Sequence, residues 1–447
     1  MAASFATSAS SVAVLKELYV DNQDFMKDLV YAKNPMFALM PKNESVDGLA
    51  GKYIPVPIQF GDPQGRSHTF LNAQGNQTPN QYDSFFVYII QDYQLVTITN
   101  LLIEQTKSNA GSFVDEMKRE MDGGIKNLSN NMAFELFGSG TATRGFINST
   151  GVTSLGAVGP GGAAAYSITL SNPQNVVNFE VGMTIQASAT DGGAVLPTGT
   201  PTVPDLGLIY AVNRGTGVIS FTIAQGTPQS DWGSGDAITV QGDIPPAGGS
   251  GSGPLGQSGS YLAASGLSAW LPATDPGAGD SFWGVNRSTD PTRLGGLRYN
   301  ASAFSIEEGV TNALGYANRE GADPDTMVLP FTSYTALENA LGAKVQYVDI
   351  HHDEADIAFE GIRFHSAYGY VTVFADRSAI PQVGLALTVD TWKLRSLGKA
   401  PHILTYGLEG LEGLRVGNSD ALEVRIGCYY NYVCNAPGWN LRIALSQ

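Results

Sequence analysis

The stretch "IHHDEADIAFEGIRFH", residues 350–365, gathers His351, His352 and His365, three of the chain's five histidines, with Asp353, Glu354, Asp356 and Glu360. Imidazole nitrogens and carboxylate oxygens ligate zinc and other divalent ions, so metal-assisted hydrolysis is the chemistry this mixture could support. Adjacent residues of a strand point to opposite faces, which keeps His351 and His352 from sharing one ion easily. In a loop, His352, Asp353 and Asp356 could converge. No established ligand spacing is present, however, and acidic loops are commonly just solvated. The following "DIAFEGIRFHSA" reads as the start of a strand pair with Gly361 at its turn.

Other chemistry is hard to find. The chain has no GxGxxG opening a helix after a strand, no GxxxxGK[ST] phosphate loop, no GxSxG elbow and no HExxH pair. His68 and His402 fall in loop-like sequence and read as surface residues. Cys428 and Cys434 sit in strand-like sequence and read as reduced, partly buried thiols, not as a secreted disulfide framework. No catalytic, cofactor-binding or metal-ligating residue is assigned, no cofactor is expected, and the chain is not expected to be an enzyme.

The elements that would position any site are legible in outline. Residues 1–50 hold a helix candidate, "VAVLKELYVDNQDFMKDLVY" (12–31), and an apolar knot, "NPMFALMPK" (34–42), that reads as an arm lying on something else. "KYIPVPIQF" (52–60) alternates, and "FFVYIIQDYQLVTITNLLI" (85–103) is β-branched and aromatic. Two long strands joined by the polar segment between them predict an extended hairpin that needs a neighbour to cover it. A helix is predicted over 111–137, where Phe113, Met117, Met121, Ile125, Leu128, Met132 and Leu136 trace one face. Gly123 and Gly124 within it mark a bend or a close backbone approach.

Residues 150–260 are rich in Gly, Ala, Ser, Thr and Pro, with short strands "YSITLS", "GMTIQAS", "GLIYAVNR", "GVISFTI" and "DAITVQGD". They predict a small β-barrel or sandwich, followed by the flexible return "PPAGGSGSGPLGQSGS" (245–260). Beyond it, Ser305 and Glu308 form a capping-box pattern at a helix start. A strand "TMVLP", a helix "FTSYTALENALG" and further strands complete an α+β half.

Composition narrows the role. Of 447 residues, 43% are hydrophobic and only 15% charged, against roughly 25% in typical soluble domains. A surface short of charge suits extensive contact with other protein. The net charge of −16 argues against a phosphate-gripping groove. There is no signal-peptide pattern at the start and no run of about 18 apolar residues to span a bilayer.

The order of parts resembles the major capsid proteins of tailed bacteriophages, the Hong Kong 97-type fold. Local echoes lie in "FADRSAIPQVGLALTVDTWKLRSLGKAP" (374–401) and "DALEVRIGCYYNYVCNAPGWNLRIAL" (420–445). The helix-strand-helix "SIEEGVTNALGYANREGADPDTMVLPFTSYTALENALG" is similar to the domain that packs at capsomer centres. The resemblance implies an N-terminal arm (1–50), an extended loop (51–108), a peripheral-domain spine helix (109–149), an inserted β domain (150–260), a peripheral return (261–300), an axial domain (301–400) and closing peripheral strands (401–447).

It implies hexamers and pentamers in an icosahedral head around double-stranded DNA, without sequence-specific DNA binding or a membrane. Portal and scaffolding proteins, and a cement or decoration protein where the shell has one, would be partners, with assembly in the host bacterial cytoplasm. Some members cross-link through a lysine on the extended loop, but no lysine occurs between Lys52 and Lys107. No long charged prefix precedes the arm, which implies a separate scaffold or a processed chain. The alternatives are an encapsulin-like compartment shell and, from a different class, a metal-dependent enzyme using His351, His352, Asp353 and Asp356. Within a shell, His351 and His352 would make a pH-sensitive subunit contact.

Overall fold

The structure is a computed structural model that describes residues 34–44, 53–99, 110–197, 204–244, 262–342, 347–352, 355–365, 369–404, 414–415 and 420–446. The helix candidate at 12–31, Lys52, Lys107, Asp353, Glu354 and the return at 245–260 lie outside the described residues. The chain divides into two compact units. One comprises Met1–Lys33, Gln91–Met132 and Lys399–Tyr429; the other comprises Asn34–Ile90, Ala133–Gly398 and Tyr430–Gln447.

The larger unit begins with the apolar knot. Pro35–Leu39 forms a short helix whose Pro needs no intrahelical N–H partner, and Met36, Leu39 and Met40 are buried. Residues Lys42–Asn43 then pair in parallel with Leu394–Arg395. Strands β1 (Ile54–Gly61) and β2 (Gln81–Val87) make an antiparallel hairpin in register from Ile54↔Val87 to Ile58↔Asp83. Ile54, Val56 and Ile58 are buried while Pro55, Pro57 and Gln59 are exposed, the period-two pattern of a half-covered strand. Pro55 and Pro57, two apart, remove the N–H donors from one edge of β1, which discourages a further strand there.

The apolar run expected as one long strand is broken. β2 stops at Val87 and β3 (Ile90–Thr99) starts after Tyr88 and Ile89. Tyr88 stacks on Trp283 with ring centroids 5.8 Å apart, and its carbonyl accepts a 2.6 Å hydrogen bond from Asn431 Nδ2. These partners draw Tyr88 out of the ladder.

Helix α1 (Ala110–Phe137) follows. Six strands then close a barrel: β4 (Gly145–Gly156), β5 (Ala165–Leu170), β6 (Thr184–Ser188), β7 (Leu206–Asn213), β8 (Val218–Gln225) and β9 (Ala237–Val240). Their order around the barrel is β9-β4-β5-β8-β7-β6. The interior is filled by Ile147, Ile168, Phe179, Ile185, Ile209, Ile219, Phe221, Trp232 and Ile238. The boundary expected at 150 falls inside β4, because the barrel needs that whole strand to pair with β5 and β9. At the β7–β8 turn, Gly217 has φ +71° and a Cβ there would lie 2.7 Å from Pro173 Cα, so both conformation and space demand glycine.

The α+β half is built on a seven-stranded mixed sheet. Its strands are β10 (Leu297–Asn300), β11 (Thr326–Leu329), β12 (Tyr347–His352), β13 (Ala355–His365), β14 (Tyr370–Ala375), β15 (Val383–Leu387) and, after β16 (Trp392–Ser396) and β17 (Ala421–Cys434), β18 (Leu441–Ala444). The order is β10-β18-β15-β11-β14-β13-β12. Helix α2 (Ile306–Arg319) starts where Ser305 Oγ accepts from the Glu308 N–H at 3.4 Å. Its Val310, Ala313, Leu314 and Ala317, spaced as one helical stripe, pack with Leu337 of α3 (Phe331–Leu341) on Met327, Leu329, Val371, Val373, Leu441 and Ile443 of the sheet. β18, expected among the closing strands of 401–447, thus belongs to this sheet, and β16, expected with 301–400, pairs with Tyr430–Cys434 of β17.

In the smaller unit, helix α1 meets strand β3. Asp92, Gln94 and Val96 lie on one strand face, and Asn131, Asn127 and Gly124 on one helix face. Asn131 Nδ2 donates to Asp92 Oδ2 at 2.7 Å, and Asn127 Nδ2 to Gln94 Oε1 at 3.0 Å. A Cβ on Gly124 would stand 2.9 Å from both Val96 Cγ2 and Ile426 Cδ1. Gly124 is therefore the close approach, whereas Gly123 is exposed with nothing within 4 Å. Leu422–Gly427 of β17 pairs here with Leu414–Arg415 and His402–Ile403. Among the described residues, no helix is long and apolar enough to cross a membrane.

Candidate assembly surfaces

The histidine-rich stretch is a hairpin at the edge of the seven-stranded sheet. β12 and β13 pair from Tyr347↔Ile362 to His352↔Ala355, with a shift in register between Ile350 and His352. The chain reverses between His352 and Ala355, and Gly361, expected at the turn, is instead paired with Val348 inside the ladder. His352 stands at one end of β13 and His365, opposite Tyr370, at the other. At about 3.3 Å per residue that separation is roughly 30 Å, so the three histidines do not surround one ion. His365 is exposed and packs edge-to-face on Tyr370 at 5.1 Å, and the Arg363 guanidinium lies over the same ring at 5.3 Å.

His68 is exposed in the hairpin loop, and His402 Nδ1 contacts the Lys399 carbonyl oxygen at 2.5 Å. Cys428 and Cys434 are buried and not joined in a disulfide, and burial pushes the Cys434 thiol up to about 12. A thiol so held is no nucleophile at neutral pH.

The segments that carry the resemblance do internal structural work. Trp392 Nε1 donates to Asn440 Oδ1 at 2.9 Å, the same oxygen accepts from the Thr388 N–H at 3.0 Å, and Asn440 Nδ2 donates to Thr391 Oγ1 at 3.2 Å. These bonds fasten "TVDTW" to "NAPGWN". Asp376 accepts from the Met36 N–H at 3.1 Å and the Ser378 N–H at 2.9 Å, and burial raises its pKa. Its neighbour Arg377 donates to the Val177 carbonyl and faces Glu180 at 3.6 Å, while Arg214 pairs with Glu180 at 2.6 Å. Residues 376 and 377 therefore fix the N-terminal knot and the barrel to the sheet layer together.

What remains available is surface. At the base of the first hairpin, Phe85 sits edge-to-face on Trp270 at 4.9 Å, and the Phe86 N–H donates to the Trp283 carbonyl at 2.9 Å. At its tip, the helix Phe70–Gly75 presents Phe70 and Leu71 at 84% and 77% exposure, with Tyr82 at 65% nearby. Among the described residues nothing covers these apolar side chains, and such a patch is a candidate contact surface. Composition predicted that the hairpin needs a neighbour; the helix at its tip was not predicted, because its six residues are too few to show periodicity.

The chain superposes on a chain of the cyanophage A-1(L) capsid asymmetric unit with a TM-score of 0.51, covering 97% of this chain and 98% of that one at 10% identity. The fold is the Hong Kong 97-type capsid fold. Lower similarities include the capsid of an empty GTA particle (TM-score 0.43, 8% identity, covering 98% and 99%). The holo-SrpI encapsulin complex from Synechococcus elongatus PCC 7942 gives a TM-score of 0.43 at 8% identity, covering 96% and 94%. No family model and no curated protein matches the sequence.

Proposed function

We propose that this chain is the major capsid protein of a tailed bacteriophage, assembling in the bacterial cytoplasm into hexamers and pentamers of an icosahedral shell around double-stranded DNA. The observation that carries this reading is the near-complete superposition on a cyanophage capsid subunit, over 97% of the chain. The first hairpin is the extended loop that lies on a neighbouring copy, α1 is the spine helix, and α2, α3 and their sheet form the axial domain. The barrel, Gly145–Val240, is an inserted domain. Portal, scaffolding and cement proteins are the partners this reading assigns to it, and its role is structural, not enzymatic.

Electron microscopy of the protein co-expressed with its scaffold tests the proposal. Closed shells holding nuclease-protected DNA are the expected result. Dispersed monomers under every condition would overturn it, and shells filled with a protein cargo would favour a compartment. Because no lysine lies between Lys52 and Lys107, shells boiled in detergent are expected to run as single chains on a gel. The β12–β13 tip is proposed as a pH-sensitive subunit contact through His351 and His352. Shell stability across about pH 5.5–7.5 should then change when both are replaced by Gln, and an unchanged profile would end that idea.

A further inference from the structure

One end of the barrel brings two carboxyl groups together with no cation beside them among the described residues. Asp205 is 1% exposed. Its Oδ1 accepts from the Thr227 N–H at 2.7 Å, while its Oδ2 is buried with no hydrogen-bond donor reaching it. Asp205 and Asp231 converge on one residue, Thr227, the first through its backbone N–H and the second through its hydroxyl. Asp231 is itself held from both sides: Thr227 Oγ1 donates to its Oδ2 at 2.9 Å and Ser230 Oγ to its Oδ1 at 3.2 Å. Gly226, at φ +73°, lies so close that a Cβ would collide with the Asp205 carboxylate. The backbone N–H of Asp205 donates to the Leu196 carbonyl at 3.1 Å, which fixes its place between strands.

Two carboxylates held this close cannot both stay ionised unless something positive sits between them. We infer that Asp205 and Asp231 share a single proton, forming a latch that closes this end of the barrel in mild acid and loosens as pH rises. No covalent step is involved: one proton, carried by Asp205 and donated toward Asp231, is lost to solvent. The Asp205 pKa is raised from 3.8 to about 6, first by burial, against the Thr227 N–H, and further by Asp231, the one charged group among its causes. Asp231 is lowered, chiefly by the Thr227 hydroxyl and then by Asp205, as expected for the partner that keeps the charge.

The sign follows from proton counts. Between the unfolded value of 3.8 and the folded value of about 6, the closed state binds more protons than the opened one, so closure weakens as pH rises through this window and then levels off. The limit set by a shift of this size is about a hundredfold in the opening equilibrium.

Hydrogen–deuterium exchange on the full chain tests the latch, comparing about pH 4.5 with pH 7 after correction for the intrinsic pH dependence of exchange. Peptides over 204–213 and 226–232 are expected to lose protection at the higher pH, by up to about 25-fold, the part of that limit that falls between these two pH values, while β5 stays unchanged. Asp205→Asn, which imitates the protonated state, should flatten the dependence. Asp231→Asn should flatten it too, by donating from its amide to an ionised Asp205. An infrared carbonyl band of a protonated carboxyl, titrating near 6 and missing in Asp205→Asn, is the direct signature. A wild-type profile that is flat, or one that survives both substitutions, would overturn the inference. So would protection restored at pH 7 by calcium, which would assign the pair to a metal ion.

Discussion

Glu135 shows how much one buried carboxylate can organise. It is 6% exposed, and its Oε2 accepts from Tyr430 Oη at 2.7 Å and from the Ala264 N–H at 3.0 Å. Asn431, next to Tyr430, accepts from the Ser265 N–H at 3.0 Å and donates to Tyr88. A buried polar group that loses its partner costs about 1–3 kcal/mol. Tyr430→Phe removes a single hydroxyl donor without opening a cavity, so it is expected to destabilise the larger unit by about that amount. A fall in the urea midpoint, with an unchanged slope, would register it. None of this was legible beforehand, since the polarity of "YYNYVC" says nothing about which residue 295 positions away will meet it.

The two central glycines of α1 separate helix propensity from packing. Gly123 faces open space, so Gly123→Ala is expected to stabilise the helix by roughly 1 kcal/mol. Gly124→Ala gains the same propensity but presses on Val96 and Ile426, each 2.9 Å from the new methyl group, so it should gain less, and Gly124→Leu should lose stability outright. Thermal unfolding of the three variants decides the matter, and equal shifts for both alanines would refute the packing role. Elements with strong local rules were legible: α1 from its apolar stripe, α2 from Ser305 and its cap, and the barrel strands from alternation between turns. Sheet membership was not, because β18 and β16 are strands of four and five residues whose partners lie far away in sequence. The break at Tyr88 was hidden for the same reason, since a stack on Trp283 leaves no local trace. Of the histidine-rich stretch, the separation of His351 from His352 was legible from strand alternation, but the place of the turn was not, since Gly361 lies inside the ladder opposite Val348.

At the scale of the whole molecule, low charge, a projecting hairpin and an apolar tip point the same way. Phe70 and Leu71 stand almost fully exposed on a short helix that no other part of the described chain covers. Replacing both with Ser removes apolar area that the described residues leave exposed and that the proposed function assigns to a contact with another copy, so the folded subunit should be indifferent to the change. Its melting temperature is expected to stay within about 1 °C of the parent, consistent with surface substitutions of no more than about 0.5 kcal/mol. On the proposed function, shell formation should instead fail or require a much higher protein concentration, because each copy would lose the contact proposed for its arm and the loss would be repeated at every subunit. The pairing of outcomes matters. Lost shells with an unchanged melt place the tip at an intersubunit contact, whereas a lowered melt would mean that the tip packs on its own chain. Unchanged assembly with an unchanged melt would remove the hairpin tip from the assembly surface altogether.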